Sequence, residues 1–407
     1  MRVPDRRLMQ SWPMHHKSDV RRRPGRGPSG VGLRIWPLRR QSVAVVLAAG
    51  LVVLAVGLIC TAVYPSLRGS VRVRHTDVNP YGANFFLERE VEAWKREKTL
   101  AMARAAGIVW MRQEFPWAEI EPEPGRFEWA KYDRLVDLAS RYGMQIIARL
   151  DRAPAWTHPG NPFASAPPDD PATYRAFVRT FVARYGHKVA AVQLWNEPNL
   201  AAEWGFEPVD PASYARLLQA GYSGAREGHR ETLVLSAPLA TTLEDVSLRG
   251  NMNELLFLEQ MYQAGAGASF DILSANAFGL ERPPEDPPDP NVLNFRRVEL
   301  LRRVMEHYGD GRKAIWISEY GWNAPPAAMP RELLTWGRVT PQQQAEYTVR
   351  GIAWAREHWP WLGAVCIWYF RQVGDMPPDQ PVYYFALVDP EFRPQPVYEA
   401  LRGRSAP

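Results

Sequence analysis

The 407-residue chain contains few residues of the kinds that form cross-links or hold metals. Its two cysteines, Cys60 and Cys366, lie in an apolar run and in a predicted core strand, so we expect no disulfide between them. After residue 76 the sequence contains no His-x-His, Cys-x-x-Cys, phosphate-loop or nucleophile-elbow pattern. We therefore expect no metal and no cofactor.

Positive charge is scarce outside the amino-terminal tenth of the chain. The net charge is +5, but residues 1–40 contain eleven Lys and Arg against Asp5 and Asp19, which leaves −4 for the remainder. A mildly acidic balance argues against a nucleic-acid-binding surface in the larger part of the chain. Residues 1–40 are rich in Arg, Pro and Gly without apolar periodicity, which predicts a disordered basic cytoplasmic tail.

A single long apolar run follows the tail. Val43 to Val63 is 21 residues without a charge, enough at about 1.5 Å per residue to cross a hydrocarbon core of about 30 Å. We predict one transmembrane helix over residues 41–64 and a linker over 65–75, with a cleaved signal peptide as the main alternative. Arginines are more numerous before the run than after it, which favours a cytoplasmic amino terminus. The rest of the chain would then lie outside the cell membrane.

From residue 76 to residue 407, short apolar runs alternate with longer amphipathic ones. The predicted strands cover residues 81–86, 108–112, 145–150, 190–196, 232–237, 271–275, 314–319 and 364–369. A predicted helix follows each strand, and eight such pairs indicate an α/β fold of the (β/α)8 TIM-barrel type. A doubly wound open sheet is the alternative, which the lack of a Gly-rich phosphate loop after the first strand disfavours.

Two predicted strands end in a glutamate. Glu197 follows the fourth strand within the string Trp-Asn-Glu-Pro-Asn, and Glu319 ends the seventh. The carboxyl ends of barrel strands form the catalytic face, so both side chains are expected at the barrel mouth. Cleavage of an acetal needs one carboxyl group to protonate the departing oxygen and another to attack or stabilise the cationic carbon. The pair therefore predicts cleavage of glycosidic bonds.

The Trp-Asn-Glu-Pro-Asn string resembles the clan A glycoside hydrolases, and the wider sequence is most similar to their family 39 and family 5 branches. The resemblance implies retaining, double-displacement hydrolysis of β-linked sugars, with Glu197 as general acid/base and Glu319 as nucleophile. It also implies that Asn196 bonds the sugar 2-hydroxyl, that Arg112 supports the nucleophile and that Trp368 forms part of a sugar platform. Arg112 could instead pair with Glu114 or with a loop carboxylate, and Trp368 could belong to the barrel core.

Further aromatic residues follow strand ends among the 16 tryptophans. We include Trp156 and Trp322 as candidate sugar contacts, because aromatic faces suit the apolar faces of pyranose rings. The expected partners are a carbohydrate substrate and, through one helix, the membrane. We expect no nucleic acid and a monomeric protein.

The sixth strand departs from the family pattern. Where the family carries His and Tyr, this sequence has Asn276, a candidate substrate-binding residue, and Phe278. In the family the Tyr hydroxyl helps to hold the nucleophile, and Phe278 has none, so either a hydroxyl such as that of Tyr81 or Tyr369 substitutes or activity is altered. The departure supports an alternative function, a carbohydrate-binding or sensing barrel with impaired catalysis.

Overall fold

The computed structural model describes residues 72–244, 246 and 250–404. All of these residues belong to one compact unit, Val71–Pro407. The predicted basic tail and the predicted transmembrane helix lie outside the described residues. Within the described part, every helix is too short or too polar to cross a bilayer.

Eight parallel strands and eight main helices alternate along the described chain. The strands are β1 Tyr81–Phe85, β2 Trp110–Glu114, β3 Gln145–Leu150, β4 Ala191–Leu194, β5 Leu233–Leu235, β6 Leu273–Phe278, β7 Ile315–Gly321 and β8 Leu362–Ile367. The helices are α1 Ala93–Ala105, α2 Ala130–Arg141, α3 Pro171–Tyr185, α4 Pro211–Gly228, α5 Glu254–Gln263, α6 Val298–His307, α7 Pro341–His358 and α8 Pro396–Arg404. One further helical turn, Trp117–Ile120, lies between β2 and α2.

The strands close into a barrel. Their order is β5-β4-β3-β2-β1-β8-β7-β6, and a bridge between Leu235 and Ile272 joins the two outer strands. This is the (β/α)8 arrangement that the alternation predicted, and it excludes the open sheet.

Helix caps fix one end of several loops at the barrel mouth. Asp170 and Asp210 each accept a hydrogen bond from the backbone two residues further on, and a proline follows each of them. Thr340 and Gln343 form a reciprocal capping box at the start of α7. Such caps satisfy backbone N–H groups that a helix start leaves without partners. Because these helices follow β3, β4 and β7, the caps anchor the loops that leave those strands.

The amino-terminal end of the barrel is filled by large apolar side chains. Trp110 and Trp316 meet there edge to face, with ring centroids 4.7 Å apart. Glycine is needed opposite them, because a Cβ at Gly363 would lie 1.9 Å from the Trp316 ring and one at Gly82 would lie 2.8 Å from Trp110. The barrel floor is therefore solid, and access to the interior is from the carboxyl end.

Three strands extend further toward the mouth than the sequence predicted. β2 ends at Glu114 rather than at Arg112, β6 at Phe278 rather than at Ala275, and β7 at Gly321 rather than at Glu319. The added residues include polar ones such as Asn276, because the barrel interior is polar at this level. Polar side chains can therefore continue a strand here.

Candidate active site

The carboxyl ends of the strands open into a cleft of about 510 Å³. A volume of this size is ordinary for a small-molecule site. Four of the predicted site residues line it together: Glu197, Glu319, Asn196 and Trp368.

Glu319 reaches this cleft because β7 contains an extra residue. Ala275 and Asn276 of β6 pair with Ile317 and Glu319, so one residue of β7 is skipped between the pairs. β7 is also one residue longer than β8 between Ile317 and Tyr320. Such a bulge changes which face of the sheet the following side chains occupy. Ser318 and Glu319 can therefore both face the barrel interior, while Tyr320 packs outward against α7.

Glu197 reaches the cleft through an unusual backbone at the end of β4. Trp195 and Glu197 both have positive φ, at 77° and 39°. Residues other than glycine adopt this region at a cost, and such residues occur often at functional sites. Trp195 is turned outward, where its ring packs edge to face on Tyr174 and on Trp204. The same turn directs Asn196 and Glu197 into the cleft.

Arg112 lies beneath Glu319 and is 2% exposed. Its Nη1 donates to Glu319 Oε1 at 2.9 Å and to Asn84 Oδ1 at 2.6 Å. Its Nε donates to Gln193 Oε1 at 2.8 Å, and its Nη2 donates to Asn196 Oδ1 at 2.9 Å. A charge-assisted hydrogen bond of this kind fixes the orientation of a carboxylate. The Arg112 side chain therefore connects Glu319 to Asn196 through one rigid, planar group.

Glu319 is 6% exposed, and Arg112 compensates its charge. The other face of the carboxylate meets the cleft. Phe278 also lines the cleft and contacts Phe385 edge to face with centroids 5.6 Å apart. A buried carboxylate held by one arginine, with an open path to a concave cleft, has the arrangement of a nucleophile or of a stabiliser of positive charge.

Glu197 lines the same cleft as Glu319. Asn276 Nδ2 donates to Glu197 Oε1 at 2.7 Å. Burial, and after it the negative charges of Glu319 and Glu203, raise the pKa of Glu197 to about 8 against the opposing effects of Arg149 and the Asn276 hydrogen bond. A carboxyl group that stays protonated near neutral pH is suited to donate a proton.

A second ionic cluster forms the wall of the cleft beside β2 and β3. Arg149 pairs with Asp151 at 2.6 Å and with Glu114 at 3.3 Å. Arg152 pairs with Glu114 at 3.3 Å and with Glu203 at 3.7 Å. Burial opposes ionisation of Glu114, but the surrounding arginines lower its pKa to about 2. The Glu114 carboxylate therefore forms its ion pairs with arginines other than Arg112.

The other predicted aromatic contacts are divided between the cleft and the core. Trp368 lines the cleft and packs edge to face against Phe86 at 5.7 Å. Trp322 is instead 1% exposed, and its indole donates to Arg282 O at 2.7 Å. Trp156 donates to a backbone carbonyl and packs on a neighbouring indole ring. The cleft therefore gathers Trp368 but not Trp322 or Trp156, whose rings serve packing and loop anchoring.

Neither of the two tyrosines expected to replace the missing hydroxyl contacts Glu319 within the described residues. The Tyr369 hydroxyl donates to the backbone carbonyls of Val382 and Tyr383, at 3.1 and 3.2 Å. Tyr81 starts β1 at the opposite end of the barrel, where the Arg404 guanidinium lies over its ring.

The sequence analysis missed residues that act beneath the carboxylates. Asn84 accepts from Arg112 and donates to Ser318 O at 2.9 Å, and Gln193 accepts from Arg112 and donates to Trp195 O at 2.7 Å. The sequence did contain a signal for both residues. Each is a polar residue in an otherwise apolar strand, at a position that the alternation of side chains places on the interior face of the barrel. Trp336, which also lines the cleft, lies in the loop after β7 and gave no such signal.

In the described ranges no three His, Cys, Asp or Glu side chains are grouped so that they could hold a metal ion.

A closed (β/α)8 barrel with two facing glutamates at its mouth is the architecture of the clan A glycoside hydrolases. Comparison with known proteins agrees. The family profile described as Beta-galactosidase, of glycoside hydrolase family 42, matches residues 87–165. Beta-galactosidase BgaH from Haloferax lucentense is 37% identical over 71 residues, which are 16% of this chain and 11% of that protein.

Solved structures share the fold over most of the chain. A family 39 glycoside hydrolase from Bacteroides cellulosilyticus WH2 has a TM-score of 0.60 and 20% identity, over 80% of this chain and 63% of that chain. A monomeric beta-xylosidase from Caulobacter crescentus CB15 has a TM-score of 0.56 and 18% identity, over 82% and 68%. The match thus spans less than two thirds of the first of these proteins. The predicted resemblance to clan A glycoside hydrolases, with family 39 among them, is confirmed.

Proposed function

We propose that this protein is a retaining glycoside hydrolase that cleaves β-linked sugars, with Glu319 as nucleophile and Glu197 as general acid/base. The observation that carries the proposal is that both carboxyl groups line one cleft in contrasting environments. Glu319 is paired with Arg112. Glu197 has a pKa raised by burial and by the charge of Glu319. Contrasting environments of this kind assign the two roles.

In the first step Glu319 attacks the anomeric carbon while Glu197 protonates the departing glycosidic oxygen. The bond from the anomeric carbon to that oxygen breaks, and an ester bond forms between the carbon and Glu319. The Arg112 hydrogen bond directs the free lone pairs of Glu319 toward the cleft. Asn196 is held by Arg112 through its Oδ1 and by Glu203 through one amide hydrogen, which leaves its other amide hydrogen for the sugar 2-hydroxyl.

In the second step Glu197 removes a proton from water, which attacks the anomeric carbon and releases Glu319. This requires the pKa of Glu197 to fall after the first step. The charge of Glu319 is one cause of the raised pKa, and ester formation removes that charge. Hydrolysis should therefore decline above about pH 8 in the free enzyme, as Glu197 loses its proton.

We further propose that the segment Val43 to Val63 anchors the protein in the cell membrane, with the barrel on the outer side. The support is the uncharged 21-residue run and the excess of arginine before it. The substrate would then be an extracytoplasmic glycan.

A second candidate function is a carbohydrate-binding or sensing barrel with little turnover. Phe278 favours it, because a phenyl ring stands where the family carries a hydroxyl that supports the nucleophile. The ionic support of Glu319 by Arg112 favours the enzyme.

The purified protein should be assayed on aryl β-glycosides and polysaccharides beside Glu319→Gln and Glu197→Gln. Both variants should lose about 10²-fold or more in kcat/KM. Azide should rescue Glu197→Ala by forming a β-glycosyl azide, and NMR of the first-formed product should show retention of configuration. Glu244→Gln, which changes a carboxylate in the same cleft, is the matched control. Sugar binding without hydrolysis would favour the sensing barrel, and undiminished hydrolysis in both variants would rule out the assigned roles.

A further inference from the structure

The Asn276 side chain is directed at Glu197 rather than at the open cleft. It is 1% exposed, and its Nδ2 donates to Glu197 Oε1 at 2.7 Å. It extends from β6, where Asn276 pairs with Glu319 in register. The contact seen is therefore with the proposed acid/base, whereas the sequence predicted a contact with the sugar.

The amide oxygen of Asn276 is buried and has no hydrogen-bond partner within the described residues. Such an orphaned acceptor is unfavourable, and native structures contain few. Because the atom is out of reach of water, a sugar hydroxyl cannot reach it either. The N–H donated to Glu197 is therefore the contact that this amide provides.

A donor on one carboxyl oxygen determines where the acid proton resides. A neutral carboxyl group has one oxygen that carries hydrogen and one that only accepts. Asn276 presents hydrogen to Oε1 of Glu197, so a proton on that oxygen would meet another hydrogen. The proton is therefore favoured on Oε2, which makes no hydrogen bond within the described part of the chain. Glu197 lines the cleft, and Oε2 is the carboxyl oxygen that the Asn276 amide leaves free for a substrate.

The other charged groups that act on Glu197 lie on different elements. Glu319 is on β7, Glu203 follows β4 and Arg149 is on β3. Their charges alter how readily the carboxyl group ionises. None of them hydrogen-bonds either of its oxygens in the described structure, so Asn276 alone distinguishes the two oxygens.

We propose that Asn276 is a positioning residue, which rests on the proposed function: its amide N–H on Oε1 keeps the acid proton of Glu197 on Oε2, directed at the departing oxygen. The same N–H also stabilises the ionised carboxylate that the second step requires. One fixed donor thus serves both protonation states, and no rearrangement is needed between the two steps.

The test compares the full-length protein with its Asn276→Leu variant on two β-glycosides that differ in leaving group. A dinitrophenyl glycoside departs without protonation, whereas an alkyl or phenyl glycoside needs the acid. We expect kcat/KM to fall about 10- to 100-fold for the poor leaving group and less than about 3-fold for dinitrophenyl. Asn276→His, which can supply an N–H, should recover most of the loss.

Asn323→Leu is the matched control. Asn323 is also fully buried, donates one hydrogen bond and has an orphaned amide oxygen, but its hydrogen bond goes to Pro381 O rather than to Glu197. Any loss in this variant should be equal for both substrates. An equal loss in Asn276→Leu would reduce Asn276 to a structural residue and overturn the proposal.

A second measurement does not depend on turnover. The carboxyl carbon of Glu197 is followed by ¹³C NMR across pH in the full-length protein with and without Asn276→Leu. Loss of a donor to the ionised form should raise the midpoint by about one pH unit, and an unchanged midpoint would overturn the proposal. If the parent hydrolyses no glycoside, the proposed function fails, and this titration still decides the role of Asn276.

Discussion

Replacing the proposed acid/base by its neutral isostere should stabilise the protein in a pH-dependent way. The pKa of Glu197 is raised from the ordinary value of 4.5 to about 8 in the folded protein. The folded state therefore retains a proton that the unfolded state has lost, and stability decreases as pH rises from about 4.5 to about 8. In Glu197→Gln the site is neutral at every pH, and Asn276 can still donate to the side-chain oxygen.

The magnitude follows from the size of the shift. At pH 7 the difference between pH and the unfolded pKa corresponds to about 3 kcal/mol for a fully expressed shift. Glu197 is partly open to the cleft, so solvent screening reduces the expected gain to about 1–2 kcal/mol. For a domain of this size that is a rise of a few degrees in Tm. At pH 4.5 the gain should be close to zero.

Thermal and urea unfolding at pH 4.5, 6 and 8 would measure the effect. Glu357→Gln, which removes an exposed carboxylate on α7, is the control and should change stability little at any of these pH values. Equal stability of Glu197→Gln and the parent at pH 8, or a loss in the variant, would show that burial of Glu197 costs nothing. The environment inferred for the acid would then be wrong.

Three further outcomes are expected. Arg112→Lys should lower kcat about 10²-fold while sugar binding persists, because an ammonium cannot reproduce the forked contacts that orient Glu319. Steady-state assays that measure kcat and KM separately check this. Gly279→Ala should unfold the protein or lower Tm by many degrees, since the new Cβ would lie 1.9 Å from the buried Trp322 ring. Differential scanning calorimetry measures this, and an unchanged Tm would contradict the packing of Gly279 against Trp322. Trp336→Ala should raise KM several-fold with little change in kcat, because the residue lines the cleft and carries no group that takes part in the reaction. Unchanged KM across the substrate panel would exclude it as a sugar contact.

The sequence was sufficient for the architecture because the barrel is encoded by local periodicity. Strands and helices alternate strictly, and several helix starts carry a polar cap or a proline that can be recognised without coordinates. The barrel rule then places Glu197 and Glu319 at the same face, since both follow strands in one direction. The missing hydroxyl at Phe278 was also visible in the sequence alone.

The direction of the two glutamate side chains was decided by tertiary structure. Simple alternation from Trp316 and Ser318, which face the interior, would turn Glu319 outward. The extra residue in β7 shifts this alternation by one position, so that Glu319 points inward. The extra residue can be recognised only from the pairing of β7 with its two neighbouring strands. Glu197 likewise depends on the positive φ of Trp195.

The family resemblance implied that Arg112 supports Glu319, but the sequence alone does not say which other residues join them beneath the site, because the contacts link residues far apart in the chain. Arg112 meets Gln193 and Glu319, which follow it by 81 and 207 positions. Trp322 is a tryptophan at a strand end, as a residue that stacks on a sugar would be, but its ring lies in the core. Periodicity determines which residues begin and end an element, whereas the closing of the barrel determines which side chains meet, because those contacts exist only when all eight strands are paired.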